Sequence, residues 1–146
     1  MRRIIAFITL SAILLLASCS SNTNAQMKNG YYTAEASDFL HGWKEYVTIF
    51  VHDGDIISIE YNAKNPSGYI KSWDMDYMRL MNSTVGNYPN LYTRNYGLQL
   101  LDKQNPDDID ALAGATTSYN SFKKLANAAI ECARTGNTKV AIVDTN

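Results

Sequence analysis

The stretch Asp110-Ala111-Leu112-Ala113-Gly114-Ala115-Thr116-Thr117 joins a turn of small residues to the most regular segment of this 146-residue chain. Behind it, apolar residues recur at the three- and four-residue intervals of an amphipathic helix: Phe122, Leu125, Ala126, Ala129, Ile130 and Ala133. The pattern predicts a helix to Thr135, with Gly136 as its C-cap. Thr116 and Thr117 therefore stand at a helix N-terminus.

A helix N-terminus favours a phosphate, because the first N–H groups have no intrahelical partner and the macrodipole is positive there. The dipole alone contributes about 0.3–1 kcal/mol in an exposed setting. Gly114 and Ala115 leave room for a large group to approach closely. The same position also suits a capping hydroxyl, so Thr116, Thr117 or Ser118 is alternatively predicted to accept an N–H bond as N-cap.

Earlier in the chain, alternating residues predict an antiparallel meander of three strands. Residues 31–35 favour the first strand. Residues 46–61 contain two alternating runs separated by Asp53-Gly54, and such a pair is the strongest short-range signal for a hairpin.

Two further helices are predicted between the meander and the turn. The first runs from a Ser72 cap to about Ser83, and the second from Pro89 to about Leu101. Gly97 weakens the second by about 1 kcal/mol relative to alanine. The residues expected to provide apolar bulk are Met75, Met78, Leu80, Met81, Leu91, Tyr92, Leu98 and Leu101.

A loop at residues 104–108 and a final strand at Val140–Val143 complete the predicted domain. Its class is α+β: a small antiparallel sheet with three helices packed on it, in a single domain from residue 30 to residue 146.

The first residues predict export and lipid anchoring. Residues 1–18 combine two arginines with a short apolar run, as in a secretory signal peptide. Leu16-Ala17-Ser18-Cys19 resembles the bacterial lipobox, in which the cysteine is acylated and becomes the new N-terminus. Residues 19–29 then form a flexible leash, and the protein is expected on a bacterial cell membrane or outer membrane, outside the cytoplasm. The alternative is an ordinary signal peptide with an incidental cysteine.

Charge and cysteine content narrow the possible partners. Removing residues 1–18 deletes two arginines and no acid, which leaves 11 basic and 14 acidic residues and does not favour nucleic acid or an anionic membrane surface. With Cys19 lipidated, Cys132 has no partner for an intramolecular disulfide and is expected as a half-buried core residue. His41 and His52 make no zinc pattern.

The turn resembles the flavinylation motif of the FMN-binding domain family: Asp, two variable residues, a small residue that is usually Ser or Thr, then Gly-Ala-Thr. Ala113 stands where the family more often has a hydroxyl. The resemblance covers nearly all of the chain after the leash and is to the compact lipoprotein branch, similar also to the flavin-carrying subunits of sodium-pumping quinone reductase. The further segments that carry it are Tyr31-Tyr32-Thr33-Ala34, His41-Gly42-Trp43-Lys44, Asp53-Gly54 and Ser121-Phe122-Lys123-Lys124-Leu125.

This resemblance implies a covalent cofactor. In the family, FMN is joined through its phosphate to the threonine of Gly-Ala-Thr by a magnesium-dependent FAD:protein FMN transferase, so the implied acceptor is Thr116. Thr117 is the nearby alternative. Asp110 is expected to be read by the transferase or to order the loop by accepting N–H bonds.

Three side chains are candidate partners of the flavin ring: His41, Trp43 and Tyr119. Two of them also have a structural alternative: Trp43 suits a core position, and His41 suits a loop hydrogen bond.

The function implied is an electron carrier with no turnover chemistry of its own, fed by a membrane quinol or flavoprotein. Two alternatives stay open: a non-redox surface lipoprotein that binds a ligand or partner, and a reductase component that holds FMN without a covalent bond.

Overall fold

The computed structural model describes residues 26–145, so the predicted signal peptide and Cys19 lie outside the described residues. Two single-turn 3-10 helices, at Lys71–Trp73 and Pro106–Asp108, precede the first α-helix and follow the second. The strands and α-helices, in chain order, are β1 (Gly30–Ala36), β2 (Lys44–His52), β3 (Asp55–Lys64), α1 (Met75–Val85), α2 (Pro89–Lys103), α3 (Thr116–Thr135) and β4 (Ala141–Val143).

The four strands form one sheet in the order β3-β2-β1-β4. β1, β2 and β3 are the predicted antiparallel meander. Between β2 and β3, Asp53 and Gly54 have φ angles of 52° and 90°, as a type I′ turn requires. β4 joins β1 in parallel, pairing Ala141 with Ala34, because the chain reaches it by a crossover rather than a hairpin. The sheet is therefore mixed at that one edge, where only antiparallel strands were expected.

The predicted stripe of α3 forms the centre of the core. Its six residues are at most 3% exposed and pack on the face of the sheet that carries Val47 and Ile49. The helix ends at Thr135 with Gly136 at φ 75°, which confirms both boundaries of the prediction. Cys132 is buried beside the stripe, where burial raises the pKa of its thiol.

The cap of α1 differs from the prediction. Asp74, not Ser72, caps the helix, because its Oδ1 accepts the Tyr77 N–H at 2.9 Å. Ser72 lies in the preceding 3-10 turn, where its Oγ accepts a hydrogen bond from Asn62 Nδ2. Serine and aspartate both cap well, so the 3-10 turn decided which of them stands at the helix start.

The buried face of α2 also differs. Tyr92, Tyr96 and Leu100, spaced by four residues, carry it. Gly97 lies against β3, since a Cβ there would be 3.2 Å from Ile59 Cγ2, and this close packing offsets its poor helix propensity. Four of the residues expected to provide apolar bulk in the first two helices are exposed on the surface: Met75, Leu80, Leu91 and Leu98.

The domain begins before Gly30. The Lys28 N–H donates to the Ala133 carbonyl at 2.9 Å, and Asn29 Oδ1 accepts the Asp53 N–H at 2.8 Å. The last residues of the predicted leash are therefore part of the folded unit. Among residues 26–145, no helix combines the length and the apolar character needed to cross a membrane.

Candidate functional site

A cleft of about 380 Å³ opens beside the start of α3. This volume lies within the range of roughly 300–1,000 Å³ that is common for small-molecule sites. A larger groove of about 760 Å³ runs between β3 and α2 but contains none of the predicted site residues. The cleft is the candidate site because it brings together six of them: His41, Trp43, Gly114, Ala115, Thr116 and Thr117.

The motif before α3 forms a tight turn. The Ala115 N–H donates to the Leu112 carbonyl at 3.1 Å, and Gly114 takes φ 75° at the third position, as in a type II turn. A Cβ on Gly114 would lie 2.8 Å from the Val85 carbonyl oxygen. Only glycine fits here, because the end of α1 touches the turn directly.

The start of α3 leaves both threonines without a capping role. Its N-cap is Ala115, and no side chain makes a cap hydrogen bond. Ser118 is buried and donates its hydroxyl to Glu45 Oε1 at 3.0 Å, whereas Thr116 and Thr117 are exposed. The alternative that one of these hydroxyls caps the helix is therefore wrong.

Tyr96 of α2 holds the backbone of the motif. The Leu112 N–H donates to Tyr96 Oη at 3.1 Å, and the Tyr96 hydroxyl donates to the Ala115 carbonyl at 3.2 Å. The Tyr96 ring stacks on Phe122 with a centroid distance of 5.6 Å. The turn is thus tied to both α2 and the core.

We expect Tyr96→Phe to lower the free energy of unfolding by about 1–3 kcal/mol, because the ring remains while the half-buried Leu112 N–H loses its acceptor. Urea denaturation measures the change. Tyr32→Phe is the matched control, since Tyr32 is 2% exposed and its hydroxyl makes only a 3.5 Å contact with the Asn29 carbonyl. Equal stabilities for the two variants would contradict the role of the Tyr96 hydroxyl.

The His41-Gly42 pair forms a turn that brings Trp43 to the cleft. Leu40 and Trp43 exchange backbone hydrogen bonds of 2.8 and 3.0 Å, and His41 and Gly42 have φ angles of 51° and 83°. These are again the positive angles of a type I′ turn. Trp43 is half-buried with its ring 6.1 Å from that of Tyr77, while His41 is exposed.

Lys71 lies in the same cleft, although no sequence pattern indicated it as a site residue. Its side chain sits among aromatic rings, with Nζ 5.0 Å from the ring centre of Tyr77 and 5.9 Å from that of Trp43. Burial lowers the pKa of Lys71, and the Glu45 carboxylate opposes the shift. No periodicity marks Lys71, because it lies in an irregular segment between a turn and a helix.

Glu45 is the second charged residue that the sequence did not indicate. Its Oε1 lies 3.0 Å from Tyr61 Oη and accepts the Ser118 hydroxyl, so it links β2 and β3 to the start of α3. Burial first, and the Glu45 carboxylate second, raise the pKa of Tyr61 well above its usual value. Tyr61 therefore stays protonated and donates a hydrogen bond at neutral pH.

Asp110 and Tyr119 do not line the cleft. The Gln99 side chain makes two hydrogen bonds to the backbone of Asp110. Its Oε1 accepts the Asp110 N–H at 2.7 Å, and its Nε2 donates to the Asp110 carbonyl at 3.2 Å. The Asp110 carboxylate is 86% exposed and pairs with Lys103 at 3.0 Å, a surface contact that stabilises little. Tyr119 donates its hydroxyl to the Ile109 carbonyl at 3.0 Å.

Two sequence comparisons relate this chain to known proteins. The sequence profile of the FMN-binding domain family matches residues 42–131, from the turn before β2 into α3. The 15 kDa lipoprotein of Treponema pallidum (strain Nichols) is 34% identical over 130 residues, which cover 88% of this chain and 90% of that protein.

Two solved structures share the fold and confirm its predicted class. The crystal structure of the CPE2226 protein from Clostridium perfringens matches with a TM-score of 0.77 and 38% identity, covering 81% of this chain and 98% of that one. A solution NMR structure from Clostridium thermocellum matches with a TM-score of 0.52 and 29% identity, covering 78% of this chain and 95% of that one.

Proposed function

This chain belongs to the FMN-binding domain family, and we propose that it is a lipid-anchored electron carrier with FMN joined by a phosphodiester to Thr116. The position of Thr116 carries the proposal. The residue is exposed, begins α3, has no capping bond, and lines the same cleft as Trp43 and Lys71. A group attached to its hydroxyl can thus reach an aromatic cleft.

The helix start suits an esterified phosphate. The first helical hydrogen bond of α3 runs from the Tyr119 N–H to the Ala115 carbonyl at 2.9 Å. The N–H groups of residues 116–118 therefore point out of the helix end. Esterification leaves the phosphate with one negative charge, which these donors and the helix dipole stabilise. Thr117 is also exposed and is the alternative acceptor.

The proposed partners follow from this chemistry. An FAD:protein FMN transferase forms the bond, and the exposed carboxylate of Asp110, the first residue of the motif, is accessible to it. A membrane quinol or flavoprotein supplies electrons, and an acceptor outside the cytoplasm takes them. The flavin supplies the redox chemistry, while this chain binds and orients it.

The lipid anchor is proposed at Cys19. Two observations support it: Leu16-Ala17-Ser18-Cys19 fits a lipobox, and the similar Treponema protein is named a lipoprotein. Each buried CH₂ of an acyl chain contributes about 0.8 kcal/mol, so two or three chains hold a protein stably at a membrane. The anchor keeps the carrier beside membrane donors.

The test is intact mass spectrometry of the protein co-expressed with the transferase. We expect an adduct of the mass of FMN less one water, which survives denaturation and maps to the peptide containing Thr116. Expression without the transferase is the control and should give no adduct. Flavin that leaves on denaturation would favour non-covalent binding, and a protein that never retains flavin would favour the surface-binding alternative.

A further inference from the structure

The Lys71 ammonium lies in the cleft and makes no ion pair within the described part of the chain. The residue is 9% exposed, and among residues 26–145 no carboxylate lies within ion-pair distance of its Nζ. The Glu45 carboxylate acts on this charge only from beyond ion-pair distance, and partial desolvation still lowers the pKa of Lys71. A cation held beside two aromatic rings in a cleft suits an aromatic ligand that carries negative charge.

We propose that Lys71 contacts the N1–C2=O edge of the flavin ring and stabilises the negative charge that this edge gains on reduction. The inference rests on the proposed function, since it requires flavin in the cleft. Uptake of two electrons and one proton by the neutral ring leaves one negative charge. The Lys71 ammonium therefore binds the reduced ring more strongly than the oxidised ring and raises the midpoint potential.

The burial of Lys71 and its aromatic neighbours assign it to the flavin ring rather than to the phosphate. Thr116, the attachment point, is exposed, and the phosphate bonded to it already has the N–H groups of the α3 start beside it. The Lys71 residue is 9% exposed, and its Nζ lies beside the rings of both Trp43 and Tyr77. Flat aromatic surroundings suit a flavin ring and do not suit a phosphate.

Glu45 supplies a control of opposite sign. Glu45 lines the same cleft, and its carboxylate opposes the lowering of the Lys71 pKa by burial. Glu45→Gln removes the negative charge, while the amide oxygen can still accept the Ser118 hydroxyl. We expect this variant to raise the midpoint potential of the flavin.

The experiment is an equilibrium redox titration of the flavinylated protein against reference dyes, with intact mass measured on each sample. We expect Lys71→Gln to weaken the preference for reduced over oxidised flavin at least tenfold, which lowers a two-electron potential by about 30 mV. Lys139→Gln removes the same charge from an exposed residue outside the cleft and should leave the potential unchanged.

Three outcomes overturn the inference. One is a Lys71→Gln potential equal to that of Lys139→Gln. Another is reduced attachment of flavin with an unchanged potential in the attached fraction, which would assign Lys71 to the phosphate. If Lys71→Gln does not fold, Glu45→Gln decides, and an unchanged or lower potential there overturns the inference. Absence of any adduct in the wild-type protein would instead contradict the proposed function.

Discussion

Thr116→Ala is expected to abolish the covalent flavin adduct completely while the domain stays folded. The substitution removes the only hydroxyl oxygen of Thr116 and hence the atom that forms the phosphodiester. Thr116 is exposed and makes no cap hydrogen bond, so the free energy of unfolding should change by less than about 0.5 kcal/mol. Intact mass and urea denaturation of the same sample measure both effects.

Two neighbouring variants serve as controls for this prediction. Thr117→Ala should keep the full adduct, because the proposed acceptor oxygen is untouched. Thr116→Ser keeps a hydroxyl at the same position and should retain modification. Full modification of Thr116→Ala, together with its loss in Thr117→Ala, would move the acceptor by one residue and contradict the assignment.

Gly114→Ala is expected to cause the largest loss of stability among the motif substitutions. Gly114 has φ 75°, and an added Cβ would lie 2.8 Å from the Val85 carbonyl oxygen and 3.1 Å from Val85 Cβ. The left-handed backbone costs alanine about 1–2 kcal/mol, and overpacking adds about 1–3 kcal/mol. We expect a total loss of about 2–5 kcal/mol and a lower yield of adduct, because the turn that positions Thr116 must move away from α1.

Gly86→Ala separates the two causes. Gly86 also has a left-handed backbone, at φ 68°, but a Cβ added there would meet no atom within 4 Å beyond its own neighbours along the chain. This variant should lose only the backbone contribution of about 1–2 kcal/mol and should be flavinylated normally. Equal losses in the two variants would show that the contact between Gly114 and Val85 is unimportant.

Local signals in the sequence were sufficient for the parts of the fold that depend on neighbours along the chain. The α3 stripe, the Gly136 cap and the Asp53-Gly54 hairpin were each predicted and found. In these cases the periodicity of one element, or the φ preference of one residue pair, determines the local structure. The buried faces of α1 and α2 were harder to predict, because leucine and methionine occur on exposed helix surfaces as well as in cores.

Some features of the site could also be predicted from the sequence, whereas others required the structure. The sequence showed the motif from Asp110 to Thr116 and its resemblance to one family. It also predicted that the motif ends at a helix N-terminus. The structure then placed Trp43 and His41 at the same cleft, but directed Tyr119 toward the Ile109 carbonyl and left Asp110 on the surface. The direction of a side chain from a loop or a helix start depends on what packs beside it.

The sequence indicated an α+β domain that resembles the FMN-binding domain family, with Thr116 as the expected acceptor of a cofactor. Only the tertiary structure showed that neither threonine caps α3, and that Lys71 and Glu45 face the same cleft. The difference arises from how far apart along the chain the interacting residues lie. Helix periodicity and turn conformation are set within a few residues, whereas an electrostatic site joins β2, the 3-10 turn and α3, which meet only when the core packs.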